Sequence, residues 1–174
     1  MNQPRTALTA GLATLALTTA CASLQDAAPT AKVQLESRSS SSVTGTLTLR
    51  QQAEGVRITG EVLGLSPASA HGFHVHEKGD CSAADASSAG PHFNPLGSPH
   101  GKMGTGAHHA GDMPNIVSDK RGAAQVDVLV PGATLTPGPA SIAGRAVVVH
   151  RDPDDYSTQP AGNAGPRLAC GVIP

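Results

Sequence analysis

The sequence predicts an all-β domain, either a sandwich or a closed barrel, and three observations support this prediction. Glycine and proline supply 20 and 14 of the 174 residues, which indicates frequent turns. Apolar residues, many of them valine, alternate with polar ones over short runs, as in strands with one buried face. No segment shows helical spacing over more than a turn. Short strands separated by turns are typical of sandwiches and barrels.

The first 21 residues are expected to be a signal peptide rather than part of the fold. Arg5 gives a positive start, small and apolar residues follow over 7–20, and Cys21 comes next. Residues 17–21 resemble a bacterial lipobox, although the leucine stands one position too early, and this predicts a lipid on Cys21. Cleavage after Ala22 is the alternative. Either way we expect an exported protein in the periplasm, attached to the membrane only through that lipid.

The folded part is expected to span residues 32–174, after a flexible tether over 22–31. The tether is small, polar and contains Pro29. Three segments then alternate with period two, which predicts half-buried antiparallel strands. They are 43–50, 56–62 and 124–130. Residues 39–42 and 51–55 lie between alternating segments and are expected to be hairpin connections.

Three further strands are predicted, at 71–76, 145–150 and 167–172. Two long stretches without periodicity accompany them, from 77 to about 121 and from 151 to 166. Loops of this length are uncommon in compact domains unless they are functional. We therefore expect the functional residues in these loops and at the strand ends beside them.

Charge and cysteine content limit the functions further. The formal net charge is −1 and no basic stripe is visible, which argues against nucleic-acid binding. Beyond the signal peptide the chain has two cysteines, Cys81 and Cys170. Export to an oxidising compartment favours a disulfide between them.

Histidines concentrated around the first long loop predict a metal site. His74 and His76 are two residues apart on a predicted strand, so they share a face. His71 lies on the opposite face and is interpreted as a hydrogen-bonded structural histidine. Further candidate ligands follow at close intervals: His92, His100, His109, Asp112 and, at a strand end, His150. Spacing alone does not choose between His108 and His109.

The candidate ligands favour two ions over one. A mixed imidazole and carboxylate set suits Zn²⁺, whereas an all-imidazole set suits copper. Two four-coordinate ions need one ligand more than the candidates supply. A histidine that binds one ion through each ring nitrogen would complete the set, and so would a water molecule.

Several segments resemble the Cu/Zn superoxide dismutase family, and the resemblance extends from about residue 32 to the C-terminus. The segments are 72–77 (GFHVHE), 90–95 (GPHFNP), 109–112 (HAGD) and 162–172 (GNAGPRLACGV). The resemblance implies an eight-stranded antiparallel Greek-key fold, a flattened barrel or β-sandwich with two long functional loops. It implies dismutation of superoxide to oxygen and hydrogen peroxide by alternating Cu²⁺ and Cu⁺, with one copper ion and one structural zinc ion per subunit. A homodimer is compatible with it.

The resemblance also implies a ligand set for each ion. The implied copper ligands are His74, His76, His92 and His150. The implied zinc ligands are His92, His100, His109 and Asp112. His92 would bridge the two ions, and His109 rather than His108 would be a ligand.

Other matching residues have implied roles around the metals. Asp154 matches the carboxylate that links a copper ligand to a zinc ligand, and Arg167 matches the catalytic arginine beside the copper. Cys81 and Cys170 match the disulfide of the family. The loop 151–166 is shorter than in the animal enzymes, so the resemblance does not imply long-range guidance of the substrate. The alternative function is a non-catalytic periplasmic copper- or zinc-binding protein that stores or delivers metal, which would not need Arg167.

Overall fold

The computed structural model describes Met1 and residues 28–174, and the chain is all-β there apart from one short 3₁₀ helix. The strands are β1 (Thr30–Ser37), β2 (Thr44–Gln51), β3 (Gly55–Leu63), β4 (Ala70–His71), β5 (Phe73–His76), β6 (Ile116–Val117), β7 (Ala124–Pro131), β8 (Ala146–His150) and β9 (Arg167–Val172). The helix spans Ser87–Ala89. Within the described residues no helix has the length and apolarity to span a membrane. Apart from Met1, the predicted signal peptide, including Cys21, lies outside them.

Seven strands form one antiparallel sheet in the order β5-β8-β9-β1-β2-β3-β7. β1 joins two half-sheets, one formed by β5, β8 and β9 and the other by β2, β3 and β7. Its residues 30–35 pair with β2, whereas Glu36 and Ser37 pair with β9. From β3 the chain passes to the far edge at β5, returns to β7 beside β3, and crosses again to β8. These crossings are of the Greek-key kind. They confirm the all-β architecture expected from the resemblance.

The strand predicted at 71–76 is divided at Gly72, so nine strands are described where eight were expected. The Gly72 N–H donates to the Asp152 carbonyl at 2.9 Å, and the Gly72 carbonyl accepts from the His150 N–H at 2.8 Å. These bonds turn the backbone of Gly72 toward the loop 151–166. β4 consequently pairs with β6 instead of continuing into the main sheet.

β1 begins at Thr30, inside the segment 22–31 that was expected to be a tether. The sequence prediction assigns no strand before residue 43, and β1 is an addition to it. Its alternation is visible in the structure, where Val33 and Leu35 are fully buried. Backbone pairing with β2 holds its first residues in the sheet, and most of the remaining expected tether lies outside the described residues.

The core lies between the two half-sheets and is built from the alternating residues that the sequence predicts. Leu47, Leu49 and Ile58 are fully buried on one half, and Phe73 and Val147 on the other. Burial of each such side chain stabilises the fold by about 1.5–3 kcal/mol. The two long loops are therefore carried by a rigid scaffold.

β8 is buried on both faces, unlike the strands of the other half-sheet. Val147 and Val149 belong to the main core, whereas Ala146 and Val148 pack with Cys170 in a second cluster. Loops therefore cover the outer face of this half-sheet. Because side chains alternate along a strand, that covered face also receives His150 at the end of β8.

The predicted disulfide is present between Cys81 in the first long loop and Cys170 in β9, with a Cα–Cα distance of 5.8 Å. It links residues 89 positions apart. Closing such a loop stabilises the folded state by about 4 kcal/mol in the chain-entropy account. The disulfide thereby holds the start of the loop against the outer face of the sheet.

Candidate metal centre

Two clusters of ligand-type side chains lie on the covered outer face, and they contain all the residues that the resemblance assigns to copper and zinc. The first cluster is His74, His76, His92 and His150. The second cluster is His92, His100, His109 and Asp112. Within each cluster the ligand atoms lie within 4.8 Å of one another and every residue is buried. His92 belongs to both.

Two strands and one folded loop bring these residues together. β5 carries His74 and His76 on one face, and β8 ends at His150, where the ladder with β9 shifts register. The first long loop, which follows β5, folds back onto that strand. As a result His76 forms a backbone bridge with His92, and His74 forms one with Asp112.

Gly111 makes this close return of the loop feasible. Its N–H donates to the Phe93 carbonyl at 2.9 Å, and its own carbonyl accepts from Val75 at 2.9 Å. A Cβ at this position would lie 2.1 Å from the Val75 carbonyl oxygen, which is a severe clash. The glycine of the 109–112 segment therefore permits the backbone contact that places Asp112.

His76 and His150 each anchor one ring nitrogen on the protein and direct the other into the first cluster. Nδ1 of His76 donates to the Gly90 carbonyl at 2.8 Å, and Nδ1 of His150 donates to the Gly165 carbonyl at 3.1 Å. Their Nε2 atoms are 3.3 Å apart. With both Nδ1 atoms protonated, two lone pairs face each other in a buried site, and a cation there would satisfy both.

Asp154 orients one histidine of each cluster. Its carboxylate lies 2.8 Å from Nε2 of His74 and 2.9 Å from Nε2 of His100. Nδ1 of His74 is buried without a hydrogen-bond partner, and Nδ1 of His100 is buried facing Asp112 without a well-aligned hydrogen bond. A carboxylate on one ring nitrogen fixes the tautomer and leaves the other nitrogen as a metal ligand. Asp154 thus contacts one ring of each cluster, and its role beside bound metals stays a prediction.

The second cluster converges on one carboxylate oxygen. Oδ1 of Asp112 lies 2.8 Å from Nδ1 of His92, 3.0 Å from Nδ1 of His100 and 3.2 Å from Nδ1 of His109. Oδ2 of Asp112 accepts the backbone N–H groups of His109 and Gly101. These buried nitrogen and oxygen atoms need partners, because each buried polar atom left unpaired costs about 1–3 kcal/mol of stability. Three imidazoles and one carboxylate directed at one point fit a tetrahedral Zn²⁺.

Burial favours the neutral form of three histidines of the first cluster, which is the form that binds metal. It lowers the pKa of His74 and His76 well below the ordinary value of 6.5, and neighbouring histidines add to this shift. Burial likewise lowers the pKa of His150 to about 4. Burial alone would raise the pKa of Asp112, but hydrogen bonds from His92 and from backbone N–H groups hold it well below the usual range. Neutral imidazoles and a carboxylate are the ligand forms.

Arg167 lies at the mouth of the first cluster and is held by two carbonyl groups. Its guanidinium donates to Ala86 at 2.7 Å and to Gly90 at 2.8 Å. It lines a cavity of about 490 Å³ together with His76, His92, His150 and several apolar residues. Burial lowers the pKa of Arg167, but an arginine side chain stays cationic in proteins. The cavity therefore presents a fixed positive charge beside the histidines.

The two remaining histidines lie outside both clusters. Nδ1 of His108 donates to the His109 carbonyl at 2.7 Å. His71 is fully buried, and its Nδ1 donates to the His150 carbonyl at 3.0 Å, in agreement with a structural role.

Sequence reasoning missed two amide residues that bind the backbone of site residues. Asn115 contacts the backbone of Asp154, 39 positions away, and Gln159 contacts that of His100, 59 positions away. No spacing pattern identifies such long-range contacts to backbone groups.

Comparison with known proteins assigns the family. The family described as copper/zinc superoxide dismutase matches residues 43–173. The chain belongs to this family. Cu-Zn superoxide dismutase 2 of Aquifex aeolicus is 45% identical over 135 residues, covering 75% of this chain and 79% of the relative. Cu-Zn superoxide dismutase 1 of the same organism is 45% identical over 133 residues, with 74% and 79% coverage. These relatives support a superoxide dismutase enzyme that uses copper and zinc.

Solved structures share the fold. A SOD-like protein from Bacillus subtilis is 36% identical, with a TM-score of 0.75 over 82% of this chain and 97% of the other. The clock protein EA4 is 40% identical, with a TM-score of 0.75 over 84% of this chain and 94% of the other. Since a fold hosts more than one function, the clusters and Arg167 carry the functional argument.

Proposed function

We propose that this chain dismutates superoxide at a copper ion held by the first cluster, beside a zinc ion held by the second cluster. His74, His76, His92 and His150 are the proposed copper ligands, and His92, His100, His109 and Asp112 the proposed zinc ligands. The observation that supports this best is the sharing of His92 between two buried clusters, next to a cavity that carries Arg167.

The reaction converts two superoxide anions and two protons into O₂ and H₂O₂. Bound copper would supply the one-electron chemistry by alternating between Cu²⁺ and Cu⁺, while zinc keeps its oxidation state. The protein must therefore attract a small anion, hold it in a defined place and deliver protons to the peroxide product.

Arg167 would attract and orient the anion. Its two backbone hydrogen bonds leave the guanidinium fixed at the wall of the cavity that His76 and His150 also line. Hydrogen bonds between a cation and an anion are stronger than neutral ones. A positive group in a concave site also raises the encounter rate with an anion, and salt weakens this effect.

His92 would hold and release a proton at Nε2. That atom is buried and has no hydrogen-bond partner, and the ring lines the cavity. Nδ1 of the same ring lies 2.8 Å from Oδ1 of Asp112, which fixes the ring orientation. A proton taken up at Nε2 would therefore be available to a peroxide leaving through this cavity, and water would supply the second proton.

A superoxide assay on protein of measured copper and zinc content tests this proposal. We expect activity to rise in proportion to bound copper. Fully loaded protein without activity would instead favour the alternative, a protein that stores or delivers metal.

We also propose that the protein is exported to the periplasm and that Cys21 carries a lipid. Arg5 and the apolar residues 7–20 support export, and the disulfide between Cys81 and Cys170 suits an oxidising compartment. The intact mass of the mature protein tests the proposal, because cleavage after Ala22 would give an unmodified shorter chain.

The homodimer that is compatible with the family resemblance stays a prediction. Sedimentation of the metal-loaded protein would test it.

A further inference from the structure

Gln159 makes a two-point contact with the backbone of His100. Its Oε1 accepts the His100 N–H at 2.8 Å, and its Nε2 donates to the His100 carbonyl at 2.9 Å. The amide of one side chain thus satisfies both backbone groups of a residue that lies 59 positions away. The contact joins the loop 151–166 to the first long loop.

The sequence around His100 explains why an external partner is needed. Pro95 and Pro99 lack an N–H group, so this segment has few backbone donors of its own. The turn just before it is held by another amide, because the Asn94 side chain bonds both backbone groups of Ser98. A backbone without regular structure would leave His100 free to move unless a side chain fixed it.

The ring of His100 demands accurate placement. It is fully buried, with Nε2 at 2.9 Å from Asp154 and Nδ1 at 3.0 Å from Asp112. Gln159 holds the backbone from which this ring projects. In addition, Gln159 is followed by Pro160 and Ala161, which line the cavity beside Arg167.

We propose that Gln159 is a positioning residue that preorganises His100 for zinc and ties the cavity wall to the zinc cluster. The proposal rests on the proposed zinc ligands. A ligand already held in its binding geometry loses less conformational freedom when the ion binds. Loss of Gln159 should therefore weaken zinc binding more than copper binding, because His100 belongs to the second cluster and is not one of the four residues of the first cluster.

The test compares zinc and copper affinities, measured by competition with chelators of known strength. For Gln159→Ala we expect zinc affinity to fall about tenfold, as for loss of other residues that support a metal ligand. Copper affinity should change less. Gln159→Glu keeps an acceptor for the His100 N–H but has no donor for the carbonyl, so its zinc affinity should lie between those of the wild type and Gln159→Ala.

Gln125→Ala is the matched control, because Gln125 makes an exposed side-chain hydrogen bond with Glu61 at 2.7 Å, away from the site. Its zinc affinity should equal that of the wild type. The proposal would be overturned if both Gln159 variants kept wild-type zinc affinity, or if zinc and copper affinity fell equally. Either result would count even if the variants melted at a lower temperature than the wild type. No activity assay is involved, so a zinc-binding protein without dismutase activity would count against the proposed function alone.

Discussion

The two halves of the sheet share one core but differ on their outer faces. In the half formed by β2, β3 and β7, apolar side chains face the core and polar ones face solvent, as in the exposed Arg57–Asp127 ion pair at 2.7 Å. In the half formed by β5, β8 and β9, the outer face is buried as well and carries His74, His76 and His150. One half is therefore a scaffold, whereas the other supports the chemistry.

This difference follows from the loops rather than from the strands. The two long loops both begin at strands of the second half, after His76 and after His150. They fold over its outer face, and the first of them supplies the remaining ligand-type residues. A polar face covered in this way is stable only when its groups are paired, which explains the anchored ring nitrogens.

The largest expected effect is the loss of activity on changing the covered face. His150→Ala should abolish copper-dependent dismutation, because it removes one of the proposed ligands while the core side of β8 is unchanged. Activity and copper content of purified protein are the measurements. Thr48→Ala, on the solvent face of β2, is the control and should keep both. Full activity in His150→Ala would remove this residue from the site.

The disulfide should give the next largest effect, on stability. Replacing Cys81→Ser and Cys170→Ser together frees the loop that covers the second half, and we expect the free energy of unfolding to fall by about 4 kcal/mol. Denaturant unfolding measures the change. An unchanged midpoint would mean that packing alone holds this loop in place.

Arg167→Ala should lower the dismutation rate with native metal content. Removing a fixed positive charge from a concave site reduces encounter with an anion by about tenfold or more. Rates measured at several salt concentrations check the cause, because the variant should also lose most of the salt dependence. Loss of copper in this variant would instead indicate a structural role.

The metal-free protein should lose stability as pH falls. The folded-state pKa of His150, about 4, lies below the ordinary 6.5, so the unfolded chain binds its proton first. Stability from this group is complete above about pH 6.5 and is lost progressively toward pH 4. The lowered pKa values of His74 and His76 act in the same direction. Melting temperatures across this range measure the effect, and a flat profile would contradict it.

The smallest effect is expected on the scaffold half. Arg57→Ala removes the exposed ion pair with Asp127, and exposed pairs of this kind contribute little because water screens them. We expect unchanged activity and no resolvable change in melting temperature. A clear loss of activity would show that the two halves are not as independent as their outer faces indicate.

Period-two alternation predicted the scaffold half well. Leu47, Leu49 and Ile58 are buried where alternation places them. The division of β4 from β5 was not predictable, because it depends on bonds from Gly72 to two distant residues, His150 at the end of β8 and Asp152 in the loop that follows. β1 was missed because the few apolar residues there gave too weak a signal.

The metal centre was predicted from motifs rather than from spacing alone. Alternation placed His74 and His76 on one face, but only the family resemblance chose His109 over His108 and linked Asp154 to two rings. The structure brings these residues together. Asn115 and Gln159 could not be predicted, because amides that bind a distant backbone leave no periodic pattern.

The single carboxylate of Asp154 has an evolutionary consequence. Because it contacts one ring of each cluster, a single codon change at this position would affect both clusters. A substitution of Asp154 therefore cannot alter one cluster without altering the other.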